Sequence, residues 1–450
     1  MQSNTSLKKV LRPVHLWALA VGLVISGEYF GWNLGWKDAG TIGFLILTLI
    51  ITLLYVTFIF SFTELSAAIP DAGGPFAYSR HALGPIGGFI AGYATIVEFL
   101  FAPPAIAVAL GGYMHFLNPS FNPTYVAYIC YFIFTLINLS GIKESAIFNL
   151  VVTILAITEL TIFMGITAPH FKWSNFVQNP MPGGWQGLLP ALPFAIWFYL
   201  GIEGVAMVAE EVKNPQRDFK KGYIYGIATL ALLALGVMLC TGGITDWRQL
   251  STTDDPLPDA MRVVLGGQNK FTNLFAGIGL FGLIASFHSL IISCSRQMFA
   301  LSRSGYLPSF LSSVNRRFKT PHWALITGAV IGIIAIATGT TGTIIILSVI
   351  GALVMYIISM VSLLVLRKKQ PLLQRPFKVP LYPVFPLTTL VLSAASLLAI
   401  AWYDMQLTVW FFAGMAVLLA ILMLSGKHRQ KSQDIILTSA TEASPAENAL

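Results

Sequence analysis

The chain has 450 residues, of which 56% are hydrophobic and only 10% are charged. Soluble globular domains carry about 25% charged residues, so this composition excludes an ordinary soluble protein. A net charge of +8 would suit a nucleic-acid partner, but the placement of the basic residues along the chain argues against one.

Apolar runs of about 20 residues recur along the chain, which is the length that a helix needs to cross the hydrocarbon core of a bilayer. Their aliphatic and aromatic content is too continuous for the alternating strands of an outer-membrane barrel. We therefore predict an all-α polytopic membrane protein with twelve transmembrane helices. The predicted spans cover residues 14–35, 41–67, 86–115, 124–140, 146–168, 188–211, 221–243, 271–301, 322–339, 342–366, 383–402 and 406–425.

The basic residues follow the positive-inside rule, under which lysine and arginine concentrate in cytoplasmic loops. With the N-terminus in the cytoplasm, only five of the 27 basic residues fall on the opposite side: Lys37, Lys172, Arg248, Arg262 and Lys270. Residues 1–13 and the polar tail at 430–450 are thus both expected in the cytoplasm. The protein itself is expected in the inner or plasma membrane. The tail is rich in Ser, Ala and Glu, which predicts disorder. No nucleic-acid partner is expected.

Two spans contain a glycine beside a glutamate, at SGE (26–28) and GIEG (201–204). Interrupted helices of this kind line transporter sites, because backbone unwinds at membrane depth only where it faces a cavity. The two interruptions lie five spans apart, which predicts an inverted repeat of residues 14–168 and 188–366, followed by two further helices at 383–425. Close helix packing explains glycine alone, but it does not require an intramembrane carboxylate.

Five segments resemble the amino acid, polyamine and organocation (APC) superfamily of permeases, in matching order and spacing. They are ELSAAIPDAGGPFAYSRHALGPIGGFIAGY (64–93), INLSGIKESAIFN (137–149), GIEGVAMVAEEVKNPQRDF (201–219), SRSGYLP (302–308) and RPFKVPLYPVFP (375–386). Within the superfamily, ISGEYFGWN (25–33) most resembles the bacterial ethanolamine permeases. The resemblance implies the five-plus-five inverted-repeat fold of leucine-type transporters, with a midplane site between helices one, three, six, eight and ten.

At Glu28 this sequence differs from the members of the superfamily that carry amino acids. Aligned on Phe30, the family's usual Gly-Ser-Gly triplet reads SGE here, so an acid replaces the third glycine. In the relatives, unwound backbone amides receive the carboxylate of the substrate, and a glutamate there would repel it at short range. An amine without a carboxylate would instead gain a charge-assisted hydrogen bond, so Glu28 favours a small cationic amine.

In the leading hypothesis, Glu28 and Glu203 hold the ammonium group, and Trp197 and Tyr29 flank it. Trp197 matches the aromatic gate of the family, and an aromatic ring stabilises an ammonium group by about 0.5 to 2 kcal/mol. Glu203 could instead brace the unwound backbone. The full set of substrate-binding candidates is Ser26, Gly27, Glu28, Tyr29, Glu98, Trp197, Gly201, Glu203, His288 and Ser289.

The coupling ion is left open between H⁺ and Na⁺. Glu98 resembles the acid of the cationic amino acid branch and is a candidate proton carrier, with helix packing as the alternative. Glu159 is a second candidate proton carrier, and a position in a polar groove near the helix end is its alternative. The position at which some relatives carry a lysine that substitutes for sodium matches Ala156 here. His288 and Ser289 fall in the eighth span, whose family counterpart contributes to the pocket, although hydrogen bonding to a neighbouring helix would also explain them.

These features predict a secondary active transporter that takes up ethanolamine or a similar small primary amine by alternating access. An amino acid or polyamine permease or exchanger is the alternative within the class, and a channel would be excluded by concentrative uptake. The spans carry no HExxH, GxSxG or GxxxxGK[ST] pattern, so neither an enzyme nor direct use of ATP is expected. Cys130, Cys240 and Cys294 have no metal-ligand spacing, so no metal or cofactor is expected, and the expected partners are the amine, the coupling ion and membrane lipid.

Overall fold

The computed structural model describes residues 9–141, 146–315 and 317–424, without the side chains of Ala146 and Glu210. Within these residues the secondary structure is helical, apart from one isolated bridge between Leu11 and Val212. The predicted tail at 430–450 and most of the N-terminal segment 1–13 lie outside the described residues.

Fifteen α-helices make up the described part of the chain. They are α1 (Pro13–Val24), α2 (Ser26–Tyr29), α3 (Trp36–Ala68), α4 (Pro75–Leu117), α5 (Pro123–Leu139), α6 (Ala146–Thr167), α7 (Trp173–Phe176), α8 (Leu188–Trp197), α9 (Pro215–Gly242), α10 (Pro256–Val264), α11 (Lys270–Arg303), α12 (His322–Thr338), α13 (Thr341–Lys369), α14 (Val384–Tyr403) and α15 (Met405–Leu424). Tighter 3₁₀ segments at Trp32–Gly35 and Ile202–Glu211 follow α2 and α8.

Nine helical segments among the described residues are long and apolar enough to cross a membrane. They contain α3, α4, α6, α8, α9, α11, α13, α14 and α15. Helices α5 and α12 are apolar but shorter, and the first predicted span is divided between α1 and α2. The predicted all-helical class is confirmed, whereas the count of twelve spans stays a prediction.

Helix α4 extends beyond the predicted third span at its N-terminal end. Helix α4 starts at Pro75, and Gly84 interrupts it with φ of +78°, a conformation that glycine adopts without steric cost. Pro85 follows and removes a backbone donor, so a short helix ending at Leu83 meets the membrane-length segment at an angle. A hydropathy window detects only the second of these two parts.

The first interruption begins at Ile25, between α1 and α2 and just before the predicted SGE triplet, and it extends to Gly31. Residues 26–28 stay within the helical turn α2, and the chain breaks at Phe30, which is extended, and Gly31, which has φ of +89°. The second interruption falls where the sequence predicts it, because α8 ends at Trp197 and Gly201 has φ of +95°. Both breaks therefore place a glycine in a backbone region that other residues rarely adopt.

Helix α4 is central to the packing, with its most extensive contacts against α13 and α11. Several contacts of the first five predicted spans have counterparts among the next five. Helix α1 packs on α9 as α8 packs on α3, and α4 packs on α5 as α11 packs on α12. The contact of α4 with α13 likewise corresponds to that of α11 with α6.

Candidate functional site

The two interrupted helices touch each other at their breaks. A Cβ atom at Gly27 would lie 2.6 Å from the carbonyl oxygen of Trp197, and one at Gly31 would lie 2.7 Å from the Trp197 Nε1 atom. Both distances are shorter than real Cβ contacts, so this approach requires glycine at each position. The structure thus brings Gly27, Glu28, Trp197 and Gly201 into one region.

Glu28 is fully buried beside this contact, on helix α2. Neither of its carboxylate oxygens has a hydrogen-bond partner among the described residues. Its main-chain carbonyl is occupied, because the Trp32 indole donates to it at 3.1 Å. A buried carboxyl group without a protein donor is costly, and it has unused capacity to accept hydrogen bonds from a cationic ligand.

Aromatic rings enclose the region around Glu28. The Trp197 indole donates a hydrogen bond of 3.0 Å to the carbonyl of Phe30, and the two rings meet edge to face at 5.5 Å. Trp32 stacks on Phe198 with 5.6 Å between ring centroids. These contacts tie the segment after the first break to the end of α8.

The Tyr29 hydroxyl has a partner within the protein. It donates to Glu159 on α6 at 2.6 Å, and the Tyr29 carbonyl accepts a bond of 3.3 Å from the Tyr113 hydroxyl. Ring atoms of Tyr29 also lie close to Gly282 on α11, where a Cβ would approach to 2.9 Å. Tyr29 and Glu159 therefore form a fixed link between the first interrupted helix and α6.

Two further buried glutamates belong to the site: Glu98 on α4, and Glu203 just after the second break. Both side chains are fully buried, and neither oxygen of Glu98 has a hydrogen-bond partner among the described residues. The Tyr356 hydroxyl lies 3.5 Å from Oε2 of Glu203, and the Tyr55 hydroxyl lies 2.9 Å from that of Tyr356. No hydrogen bond joins Glu203 to Glu28 in the described residues.

Three further candidates lie at or on helix α11. Ser26 contacts this helix, and His288 and Ser289 belong to it. The hydroxyls of Ser26 and Ser286 lie 2.8 Å apart, and Ser286 donates to the carbonyl of Leu23 at 2.6 Å. His288 is buried with its ring 5.8 Å from that of Phe134 on α5, and Ser289 is buried on the same helix. Ser26 therefore fastens the first interrupted helix to α11, and His288 occupies a helix-packing position.

Contacts at both ends of the interrupted helices close the region in this structure. At one end, the backbone amides of Val10 and Leu11 donate to the Glu211 carbonyl at 2.9 and 3.0 Å, and Arg296 forms an ion pair of 3.2 Å with Glu211. At the other end, Asn33 Nδ2 donates to the carbonyls of Leu250 and Thr253 at 2.6 and 2.9 Å. A ligand beside Glu28 would be enclosed from both sides.

Several polar side chains of the site belong to no sequence motif. Tyr356 lies beside Glu203 and shares a hydrogen bond with Tyr55, and Thr52 shares a hydrogen bond of 2.6 Å with Tyr199. Each of them is a hydroxyl-bearing residue inside a strongly apolar span, which is the signal that could have identified them. Among the described residues, no group of three or more His, Cys, Asp or Glu side chains could hold a metal ion.

Comparison with known proteins identifies the family. A family model described as amino acid permease matches residues 11–425. An uncharacterized transporter of Rhizobium meliloti is 29% identical over 406 residues, covering 88% of this chain and 87% of the relative. The branched-chain amino acid permease BcaP of Bacillus subtilis is 27% identical over 95% of both chains. The methylthioribose transporter of the same organism is 28% identical over 85% of this chain and 87% of its own length.

The family model covers nearly the whole described chain, and the resemblance that the motifs suggest is confirmed at the level of the permease family. The family is one of membrane transporters, and none of the three relatives has an enzyme name. The apolar helices agree with that assignment. This chain belongs to the amino acid permease family and is an integral membrane protein.

Proposed function

We propose that this permease is a secondary active transporter of ethanolamine or a similar small primary amine, which binds beside Glu28. The observation that carries the proposal is the fully buried Glu28 carboxyl, which has no protein donor and lies next to the contact between the two interrupted helices. A carboxylate at membrane depth costs about 2.5 kcal/mol or more, so it is retained where it has a ligand or partner.

The charge of Glu28 supports an amine over an amino acid. An ammonium group donates up to three hydrogen bonds and would compensate the buried carboxylate. The carboxylate of a zwitterion would meet a like charge in a low-dielectric site. The rings of Trp197 and Phe30 add a surface that favours a cation and close over it.

The helix packing supports alternating access between two inverted repeats. We propose twelve spans, in which α1 with α2 to α6 form the first repeat, α8 to α13 the second, and α14 and α15 follow. The correspondence between the contacts α1 on α9 and α8 on α3 is what an inverted repeat would give. The bias of basic residues supports cytoplasmic termini in the cell membrane.

An amino acid permease is the second candidate, and the comparisons favour it. BcaP of Bacillus subtilis and the histidine permease of Saccharomyces cerevisiae are both relatives of this chain, and the second is 28% identical over 72% of it. A polyamine would need a second acidic subsite, which Glu98 and Glu203 could supply.

Competition in proteoliposomes separates these candidates. Purified protein is reconstituted, and uptake of radiolabelled ethanolamine is measured with excess unlabelled alanine, choline or putrescine, with protein-free vesicles as the blank. We expect saturable uptake that alanine does not reduce, because alanine carries a carboxylate. Strong inhibition by alanine would replace the amine proposal with an amino acid permease, and strong inhibition by putrescine would indicate a polyamine carrier.

A further inference from the structure

The segment that joins α13 to α14 encloses a cavity rich in positive charge. The cavity has a volume of about 520 Å³, and its lining includes the cationic side chains of Arg367, Arg375 and Lys378. Residues 367–383 contain five Lys and Arg residues and no Asp or Glu. The cavity therefore favours an anionic ligand, and it takes no part in the proposed amine site beside Glu28.

Arg375 fixes the shape of this loop. Its side chain is only 6% exposed, and its guanidinium donates to the carbonyls of Leu366, Gln370 and Leu373 at 3.1, 2.9 and 2.9 Å. Its Nε atom forms an ion pair of 3.3 Å with Glu64 on α3. Every nitrogen atom of the guanidinium thus has a protein partner, so Arg375 shapes the wall of the cavity and holds the loop in place.

The other two cations have donors to spare. Glu64 accepts from the Nε and Nη2 atoms of Arg367 at 2.7 and 2.6 Å, whereas Nη1 makes no hydrogen bond within the described residues. The Lys378 side chain is exposed, and it forms neither a hydrogen bond nor an ion pair in the described part of the chain. An anion in the cavity can therefore accept charge-assisted hydrogen bonds from Arg367 Nη1 and Lys378 Nζ.

The cavity lies where two membrane helices meet the aqueous phase. Helix α13 ends at Lys369 and α14 begins at Val384, and both are long and apolar enough to cross a membrane. The loop between them therefore lies at a membrane surface. The distribution of Lys and Arg predicts that this surface is the cytoplasmic one, where anionic lipids attract basic segments.

Exposed apolar side chains flank the cavity. Leu372 follows the lining residue Pro371 and is 95% exposed, and Leu381 is 69% exposed. The ring of Tyr382, which is also exposed, lies 4.0 Å from the guanidinium carbon of Arg367. Apolar side chains beside a basic cavity suit a ligand with an anionic head and apolar chains, because a soluble anion would contact the cations alone.

We propose that this cavity binds the headgroup of an anionic membrane phospholipid, such as phosphatidylglycerol. Arg367 Nη1 and Lys378 Nζ donate to the phosphate oxygens, and Arg375 keeps the loop in shape. Leu372 and Leu381 contact the acyl chains. The site lies apart from the proposed amine site, so the inference holds whichever substrate the transporter carries.

Thermal unfolding in mixed micelles tests the site. The purified full-length protein is titrated with phosphatidylglycerol or phosphatidylcholine in about 0.5 M NaCl, where the screening length of about 4 Å suppresses general attraction to a basic surface. We expect phosphatidylglycerol to raise the unfolding temperature in a saturable manner, because a ligand that binds the folded protein stabilises it. An equal rise with phosphatidylcholine would overturn the inference, because that lipid has no net charge.

Lys378→Gln removes a proposed contact, and Lys369→Gln is the matched control. Both residues are exposed lysines of this segment, but Lys369 does not line the cavity. We expect Lys378→Gln to raise the half-saturating amount of phosphatidylglycerol about tenfold, because it loses a charge-assisted hydrogen bond. Lys378→Arg keeps the charge and a donor, so it should stay within about twofold of the wild type, as should Lys369→Gln.

The three variants should unfold at nearly the wild-type temperature without lipid, since both lysines are exposed. Wild-type lipid binding in Lys378→Gln would overturn the inference. Equal losses in Lys378→Gln and Lys369→Gln would overturn it too, because the lipid would then respond to the basic surface as a whole.

Soluble anions separate a lipid site from a site for a free anion. Inorganic phosphate and glycerol phosphate, added at the same concentrations as the lipid, should leave the unfolding temperature unchanged because they lack acyl chains. Leu372→Ser should weaken phosphatidylglycerol binding about fivefold, since less apolar surface is buried. A rise with soluble phosphate as large as that with lipid, or wild-type lipid binding in Leu372→Ser, would overturn the assignment to a membrane lipid.

Discussion

Gly27→Ala tests the contact between the interrupted helices. The new Cβ would lie 2.6 Å from the Trp197 carbonyl oxygen and 3.2 Å from the Phe198 Cα, both backbone atoms that cannot rotate away. Inserting a methyl group into such a contact costs about 1–3 kcal/mol. That cost falls on the closed state, so its population relative to open states should decrease about 5- to 150-fold.

The assay is ethanolamine exchange in proteoliposomes together with the unfolding temperature of the purified protein. Gly277→Ala on α11 is the matched control, because nothing lies within 4 Å of a Cβ there. It should exchange normally and unfold no earlier than the wild type, since alanine favours helix over glycine. Wild-type exchange and stability in Gly27→Ala would refute the close contact on which the site depends.

Three further perturbations probe the surroundings of the site. Glu64→Gln removes the carboxylate that pairs with Arg367 at 2.6 Å and with the buried Arg375 at 3.3 Å, so unfolding should become easier by about 3–5 kcal/mol; an unchanged unfolding temperature would contradict this. Burial raises the pKa of Asp255 to about 6, above its unfolded value, so stability is lost as the pH rises through that range. Above about pH 7, the free energy of unfolding of Asp255→Asn should therefore exceed that of the wild type by about 1–3 kcal/mol, and its unfolding temperature should be higher. The difference should vanish below about pH 4, and a gain that persists in acid would contradict the prediction. Asn33→Ala removes two hydrogen bonds to the loop after α9, so amide hydrogen exchange should accelerate at residues 250–256, and unchanged rates there would exclude this role.

The helical class and the permease family could be predicted because their signals are local. Each predicted span carries its own apolar run, and motifs such as GIEG at 201–204 keep their order along the chain. The second break was found for the same reason, since α8 ends just before Gly201. The extent of the first interruption to Gly31 was not predicted, because both Gly27 and Gly31 suit a break. Only packing against Trp197 shows that Gly27 provides space and Gly31 provides the left-handed turn.

The partners of the glutamates could not be predicted, because they depend on contacts between distant spans. The sequence predicts that Glu203 acts with Glu28, and it gives no sign that the Tyr356 hydroxyl lies 3.5 Å from Oε2 of Glu203. It also suggested that Tyr29 would flank the ligand, whereas the hydroxyl donates to Glu159. The periodicity of one helix shows which face is polar, but it does not show which helix that face meets.

Ethanolamine binding to the purified protein tests the central claim most directly. Isothermal titration would compare the wild type, Glu28→Gln and the control Glu159→Gln, with alanine as a second ligand. Because a hydrogen bond to a charged group contributes about 1.5–3 kcal/mol, Glu28→Gln should weaken ethanolamine binding about 10- to 150-fold. Glu159→Gln should bind ethanolamine as the wild type does, and alanine should bind to none of the three proteins. Equal ethanolamine affinity in Glu28→Gln and the wild type, or tight binding of alanine, would contradict the assignment of Glu28 as the ammonium partner.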